Sequence, residues 1–144
     1  MAESRAPLQG PRADAPTPHH DRRAVGVEGE EIAKQWLDEL EWTVLARNVY
    51  VRGGELDLIG IEGDVLVFVE VRSRRTRSGP TASESVTWRK QHLVVKAAQR
   101  WLYAHPEYRN RRCRFDVIAV DLCRGRVISH HRGAFEAPPD RASY

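Results

Sequence analysis

The run Gly54-Glu55-Leu56-Asp57-Leu58-Ile59-Gly60-Ile61-Glu62-Gly63-Asp64-Val65-Leu66-Val67-Phe68-Val69-Glu70-Val71-Arg72 decides how the rest of the chain is read. Apolar and β-branched residues fill both halves, and the adjacent turn residues Gly63 and Asp64 lie at the middle. Glycine first in a two-residue connection is a favoured hairpin turn. Strands over Glu55–Ile61 and Val65–Arg72 follow. The second strand is apolar on both faces from Val65 to Val69, which predicts a central place in its sheet.

In this register Asp57 faces Glu70 and Glu55 faces Arg72, with directly opposed Cβ atoms about 4.5–5.5 Å apart. Side chains alternate across a strand, so Glu55 and Asp57 share a face of their strand, and Glu70 and Arg72 share the facing side of theirs. Two facing carboxylates repel, and something positive must compensate them. Either cationic neighbours such as Arg72 form an ion-pair cluster, or a divalent metal sits between the oxygens. One or two carboxylates with retained waters suit Mg²⁺.

Working outward, a strand over Trp42–Val51 precedes the hairpin, and a helix over Val27–Leu40 precedes that strand. Ala33, Trp36, Leu37 and Leu40 recur at helical steps, and Glu30 begins the same inward stripe. After the hairpin comes an Arg-, Ser- and Gly-rich loop from Ser73 to Ser85. A second helix follows over Val86–His105, closed by Pro106. Its inward face carries Val94, Ala97, Ala98, Trp101 and Leu102, with Lys90 one turn ahead. Strands over Cys113–Leu122 and Val127–His131, joined at Arg124-Gly125, end the folded unit. The order α-β-β-β-α-β-β predicts an α/β class with a mixed central sheet flanked by helices.

The sequence has 144 residues, 41% hydrophobic and 30% charged, which suits one domain with a densely charged surface. Residues 1–23, with four prolines and no apolar period, read as a disordered tail, and 136–144 as a flexible C-terminal tail. The domain is therefore expected over 24–135. No apolar run approaches the ~18 residues of a membrane span. The first 23 residues lack the apolar segment of a secretory signal, and two cysteines are too few for a disulfide framework. A soluble cytoplasmic protein with no membrane partner is expected.

The net charge of +3 permits a polyanionic partner. Arg72, Arg74, Arg75 and Arg77 crowd the loop after the central strand. Arg109, Arg111, Arg112 and Arg114 crowd the approach to the next one. Such clusters suit phosphate contacts, because arginine offers a planar fork of donors, but a solvated loop has the same composition. Trp36 and Trp101 fall on apolar helix faces and are expected in the core. Trp88, beside the arginine loop, is placed to stack on a base.

Gly29-Glu30 with Ala33 and Leu37, Gly54-Glu55-Leu56-Asp57-Leu58-Ile59, and Val67-Phe68-Val69-Glu70-Val71-Arg72 together resemble the uncharacterised bacterial YraN-like family. Lys90, Arg114-Phe115-Asp116-Val117 and the ending His130 to Phe135 match as well, so the resemblance spans about residues 26–135. That family is similar to Holliday-junction resolvases and to the restriction-endonuclease-like nucleases with the PD-(D/E)xK signature. The resemblance implies an αβββαβ core and Mg²⁺- or Mn²⁺-dependent hydrolysis of DNA phosphodiester bonds. The DNA so implied is branched, and a homodimer goes with two-fold substrates. By position it implies Asp57 and Glu70 as metal-binding acids, assisted by Glu30. Catalytic roles go to Asp57, Glu70, Arg72 and Lys90, while the composition of the arginine-rich loop adds Arg74, Arg75 and Arg77 to Arg72 and Lys90 as expected nucleic-acid contacts. The sequence departs from the signature at Arg72, which occupies the place of its lysine. Arginine keeps the charge but cannot lose its proton. The alternative function is therefore a non-catalytic nucleic-acid-binding module that keeps the nuclease fold.

Overall fold

A computed structural model describes the backbone of residues 18–75 and 86–137, with side chains from residue 26. Arg77 and most of the expected 1–23 and 136–144 tails lie outside these residues. Helix α1 spans Pro18–Glu39 and is followed by strands β1 (Thr43–Val51), β2 (Gly54–Glu62) and β3 (Val65–Arg74). Helix α2 (Trp88–Ala104) leads through a short 3₁₀ turn into β4 (Cys113–Asp121) and β5 (Arg126–Phe135). Every expected element is present. The first helix starts earlier than Val27, with Pro18 at its head, where a proline's missing amide hydrogen costs nothing. No apolar period marks that extension.

The five strands stand in chain order, β1-β2-β3-β4-β5. All pairs are antiparallel except β3–β4, which is parallel and needs α2 as its crossover. β3 is the middle strand, and Leu66 to Glu70 are buried. The order α-β-β-β-α-β is that of a restriction-endonuclease-like core, with β5 added at the edge.

Each helix covers one face of the sheet. Val94, Ala97, Ala98 and Trp101 of α2 pack on Leu56, Ile59, Phe68 and Phe115. Ala33 and Leu37 of α1 pack on Leu58, Val67, Val69 and Ile118, with Trp36 half-buried at the margin. Burying a side chain such as Phe68 or Leu37 stabilises by about 1.5–3 kcal/mol, and these two layers hold the sheet between the helices.

The β2–β3 register is the expected one, running from Glu62↔Val65 to Leu58↔Val69, and Gly63 takes the positive φ of +62° that the turn requires. The ladder stops there. Beyond Leu58↔Val69 the strands part: Glu55 pairs with Tyr50 on β1, and Arg72 pairs with Ala119 on β4. The expected Glu55–Arg72 cross-strand pair does not form. Each residue is drawn to the neighbouring strand on its own outer side, and a cleft opens between them. Among the described residues, no helix is long and apolar enough to cross a membrane.

Candidate metal and nucleic-acid site

The cleft where β2 and β3 part has a volume of about 690 Å³ and is lined by Glu30, Asn48, Tyr50, Glu55, Asp57 and Glu70, among others. Two glycine–glutamate pairs shape it. Gly29 lets α1 touch β3 so closely that a Cβ at this position would lie 1.8 Å from Ser73 Oγ. Gly54 lets β2 touch α2, and a Cβ there would meet Ala97 Cβ at 3.0 Å. The next residue of each pair, Glu30 or Glu55, enters the cleft.

One carboxylate oxygen from each of Glu30, Glu55 and Asp57 lies within 4.8 Å of the other two. Glu30 is 6% exposed, and its Oε2 is buried with no hydrogen-bond partner among the described residues. Burial, then the Asp57 charge, push its carboxyl up to about 7, against the pull of a hydrogen bond with Asn48. Asn48 sits opposite Asp57 on β1 at φ +52°, a left-handed conformation that asparagine tolerates better than most residues.

Asp57 joins this group to Glu70. Its Oδ2 accepts the Val71 amide at 2.8 Å, and its carboxyl is hydrogen-bonded to that of Glu70. Burial pushes Glu70 up to about 8, with the Asp57 charge adding to it, and burial likewise raises Asp57. The pair therefore holds a proton at neutral pH. Two cations flank its outer side: Lys90 Nζ lies 3.6 Å and Arg72 Nη1 3.9 Å from Glu70 Oε1.

The structure thus brings together Glu30, Asp57, Glu70, Arg72 and Lys90, all of them expected from the sequence, and adds Glu55 and Asn48. The position of Glu55, on the same strand face as Asp57 and two residues before it, was the available signal. Asn48 gave none. Other expectations change. Arg74 is the last residue of β3, paired with Asp121, and does not belong to a loop. Arg75 lies exposed, 3.8 Å from Glu28. Arg114 binds Asp116 and Glu62 at 2.7 and 2.9 Å, so its fork is committed inside the fold and is not available to a phosphate. Trp88 is 74% exposed and contacts His92.

A family model described as "Uncharacterised protein family UPF0102" matches residues 29–120. The chain belongs to this family. A UPF0102 protein of Myxococcus xanthus is 45% identical over 119 residues, covering 81% of this chain and 93% of the relative. A UPF0102 protein of Stutzerimonas stutzeri is 41% identical over 118 residues, covering 81% and 98%. A third, from Chloroflexus aurantiacus, is 40% identical over 115 residues, covering 80% and 91%. The YraN-like resemblance read from the sequence is therefore borne out. The UPF0102 match begins at Gly29, so it takes in both glycine–glutamate pairs and all four cleft carboxylates.

Proposed function

We propose that this UPF0102 protein binds DNA in the cytoplasm and hydrolyses phosphodiester bonds with Mg²⁺ or Mn²⁺. The observation that carries the proposal is that Glu30, whose buried Oε2 has no hydrogen-bond partner among the described residues, stands in one group with the Glu55 and Asp57 carboxylates. An all-oxygen donor set of this kind fits a hard divalent cation and disfavours softer metals. Glu30, Glu55 and Asp57 would hold it, with Glu70 joining through Asp57. A bound divalent cation polarises the phosphoryl oxygen and acidifies a water molecule.

The chain's own residues supply the remainder. Asn48 steadies the Glu30 carboxyl, and the Val71 amide fixes the orientation of Asp57. Lys90 and Arg72 bring two positive charges to one side of Glu70, where negative charge accumulates as water adds to phosphorus and the P–O bond breaks. Lys90 matters for the departure from the signature. An ammonium from α2 stands beside Glu70 as close as the guanidinium does, so the site retains a lysine although Arg72 fills the signature position.

The test is divalent-metal-dependent cleavage of branched and flapped DNA, with Asp57→Ala and Glu70→Ala as controls. Cleavage by wild type, lost in both variants, supports the proposal; equal activity in all three, or none in any, refutes it. Arg72 itself favours a second function, binding without catalysis, because it cannot cycle a proton. That function predicts salt-dependent DNA binding that survives Asp57→Ala, with no cleavage under any metal.

A further inference from the structure

Helix α2 carries Arg89, Lys90, Lys96 and Arg100 and no acidic residue. Lys90 turns inward to Glu70, whereas Arg89, Lys96 and Arg100 are exposed. At 100° per residue, Arg89, Leu93, Lys96, Arg100 and Tyr103 fall on one stripe about 80° wide, running about 21 Å along the helix. Among the described residues, none of the three cations forms an ion pair with a carboxylate. Tyr103, at the end of the stripe, is 85% exposed, and Leu93 is 41% exposed.

We propose that this outward stripe of α2 is a nucleic-acid-binding track, which holds the phosphate backbone to one side of the cleft. The inference rests on the function proposed above and extends it to residues outside the cleft. Three observations support it. First, unpaired cations in a row attract a polyanion, and nothing on the helix opposes them. Lys96 and Arg100 are about 6 Å apart along the axis, and Arg89 and Lys96 about 10.5 Å. These steps are close to two and three rises of about 3.4 Å on a DNA strand.

Second, the stripe touches the turn that leads into the cleft. The Arg100 guanidinium lies over Gly53 in the β1–β2 turn, where a Cβ would come within 2.8 Å of Nη1. Gly54 packs on Ala97, and Glu55 enters the carboxylate group one residue later. The turn that leads Glu55 into the carboxylate group is therefore the same turn that Arg100 of the stripe touches. Third, the large apolar groups exposed on the stripe include an aromatic ring, and aromatic faces accept a splayed base. An acidic protein segment would use the cations but has no need of regular spacing.

The test measures DNA affinity by fluorescence anisotropy in EDTA, which removes cleavage, over a range of salt concentrations. The triple variant Arg89→Ala, Lys96→Ala and Arg100→Ala is compared with wild type. Loss of three phosphate contacts predicts a drop of about 10–100-fold in affinity at low salt, and a log–log salt slope smaller by about 2.7. Mn²⁺ binding, measured by calorimetry, and thermal stability are expected to stay as in wild type, because all three side chains are exposed and lie outside the carboxylate group. Unchanged affinity and slope in the triple variant overturn the track, even where Asp57→Ala abolishes cleavage and leaves the proposed function intact. Equal competition by polyglutamate of matched charge overturns the nucleic-acid assignment. If Asp57→Ala leaves cleavage or Mn²⁺ binding unaffected, the cleft function falls, while the anisotropy comparison still decides the track. A wild type that binds no DNA at low salt overturns both.

Discussion

Two groups of carboxylates are built around this one sheet, and their partners differ. Asp116 on β4 is fully buried. It accepts two hydrogen bonds from Arg114, one from the Gly133 amide and a 2.9 Å contact from His130 Nε2. Trp36 Nε1 donates to His130 Nδ1, so the Nε2 nitrogen carries the proton toward Asp116. Burial alone would raise the Asp116 carboxyl, but these donors outweigh it and hold it below the ordinary carboxylate range. Glu62, nearby, is likewise lowered, chiefly by Arg132 and also by Arg114. In the cleft the balance is reversed. Glu30, Asp57 and Glu70 are raised, and one oxygen of Glu30 has no partner among the described residues. Burying a charge without satisfying it works against folding, so the first group is part of the scaffold and the second is suited to a ligand. Helix α1 spans both regions, with Glu30 in the cleft and Trp36 on the Asp116 network six residues later.

The difference can be broken at its strongest point. Asp116→Ala leaves the Gly133 amide and His130 Nε2 without their acceptor and half-buried Arg114 with Glu62 alone, and a combined loss of about 3–5 kcal/mol is expected in urea unfolding. The same measurement on Asp57→Ala is expected to show no such loss, because removing one of several crowded acids relieves repulsion. A comparable loss in both variants would erase the distinction between the two groups.

Gly29→Ala comes next. The added methyl meets Ser73 Oγ and forces α1 away from β3, with an expected cost of about 1–3 kcal/mol. Because Glu30 rides on the same turn, Mn²⁺ affinity is expected to fall as well. Ser73→Gly in the same chain removes both close contacts and restores affinity. No rescue would mean that Gly29 does not position Glu30.

A smaller effect, of opposite sign, is expected for Glu30→Gln without metal. The folded carboxyl titrates near 7, above its ordinary 4.5, so its ionisation weakens the fold progressively from about pH 4.5 to 7 and fully above that. Above pH 7 the variant is expected to be more stable than wild type by about 1–2 kcal/mol: lifting the carboxyl from 4.5 to about 7 costs about 3 kcal/mol at about 1.4 kcal/mol per pKa unit, and the unmet hydrogens of a buried amide offset part of that gain. The gain shrinks as the pH falls, and below 4.5, where both forms are neutral, only the amide's offset remains. A constant difference across this range would show that Glu30 is not held as a strained carboxylate.

Local signals in the sequence account for much of this architecture. The Gly63-Asp64 turn set the β2–β3 register, and the helical stripe through Ala33 and Leu37 turned Glu30 inward. The unbroken Val65–Val69 run marked the central strand. What stayed hidden depends on contacts distant in sequence. The parting of β2 from β3 beyond Leu58↔Val69 reflects the pull of β1 on Glu55 and of β4 on Arg72, which no hairpin pattern contains. The commitment of Arg114 needed Glu62, more than fifty residues earlier. Asn48 reaches Glu30 only through a left-handed backbone turn that its neighbours do not announce.

The most direct measurement is calorimetric titration of Mn²⁺ at neutral pH in buffers of differing ionisation enthalpy. Carboxyls lifted to about 7 and 8 hold protons that an incoming cation must displace. Binding that releases protons, weakens as the pH is lowered toward 6 and disappears in Asp57→Ala is the expected result. No binding heat, or the same binding in Asp57→Ala, would contradict the assignment of this cleft to a divalent cation.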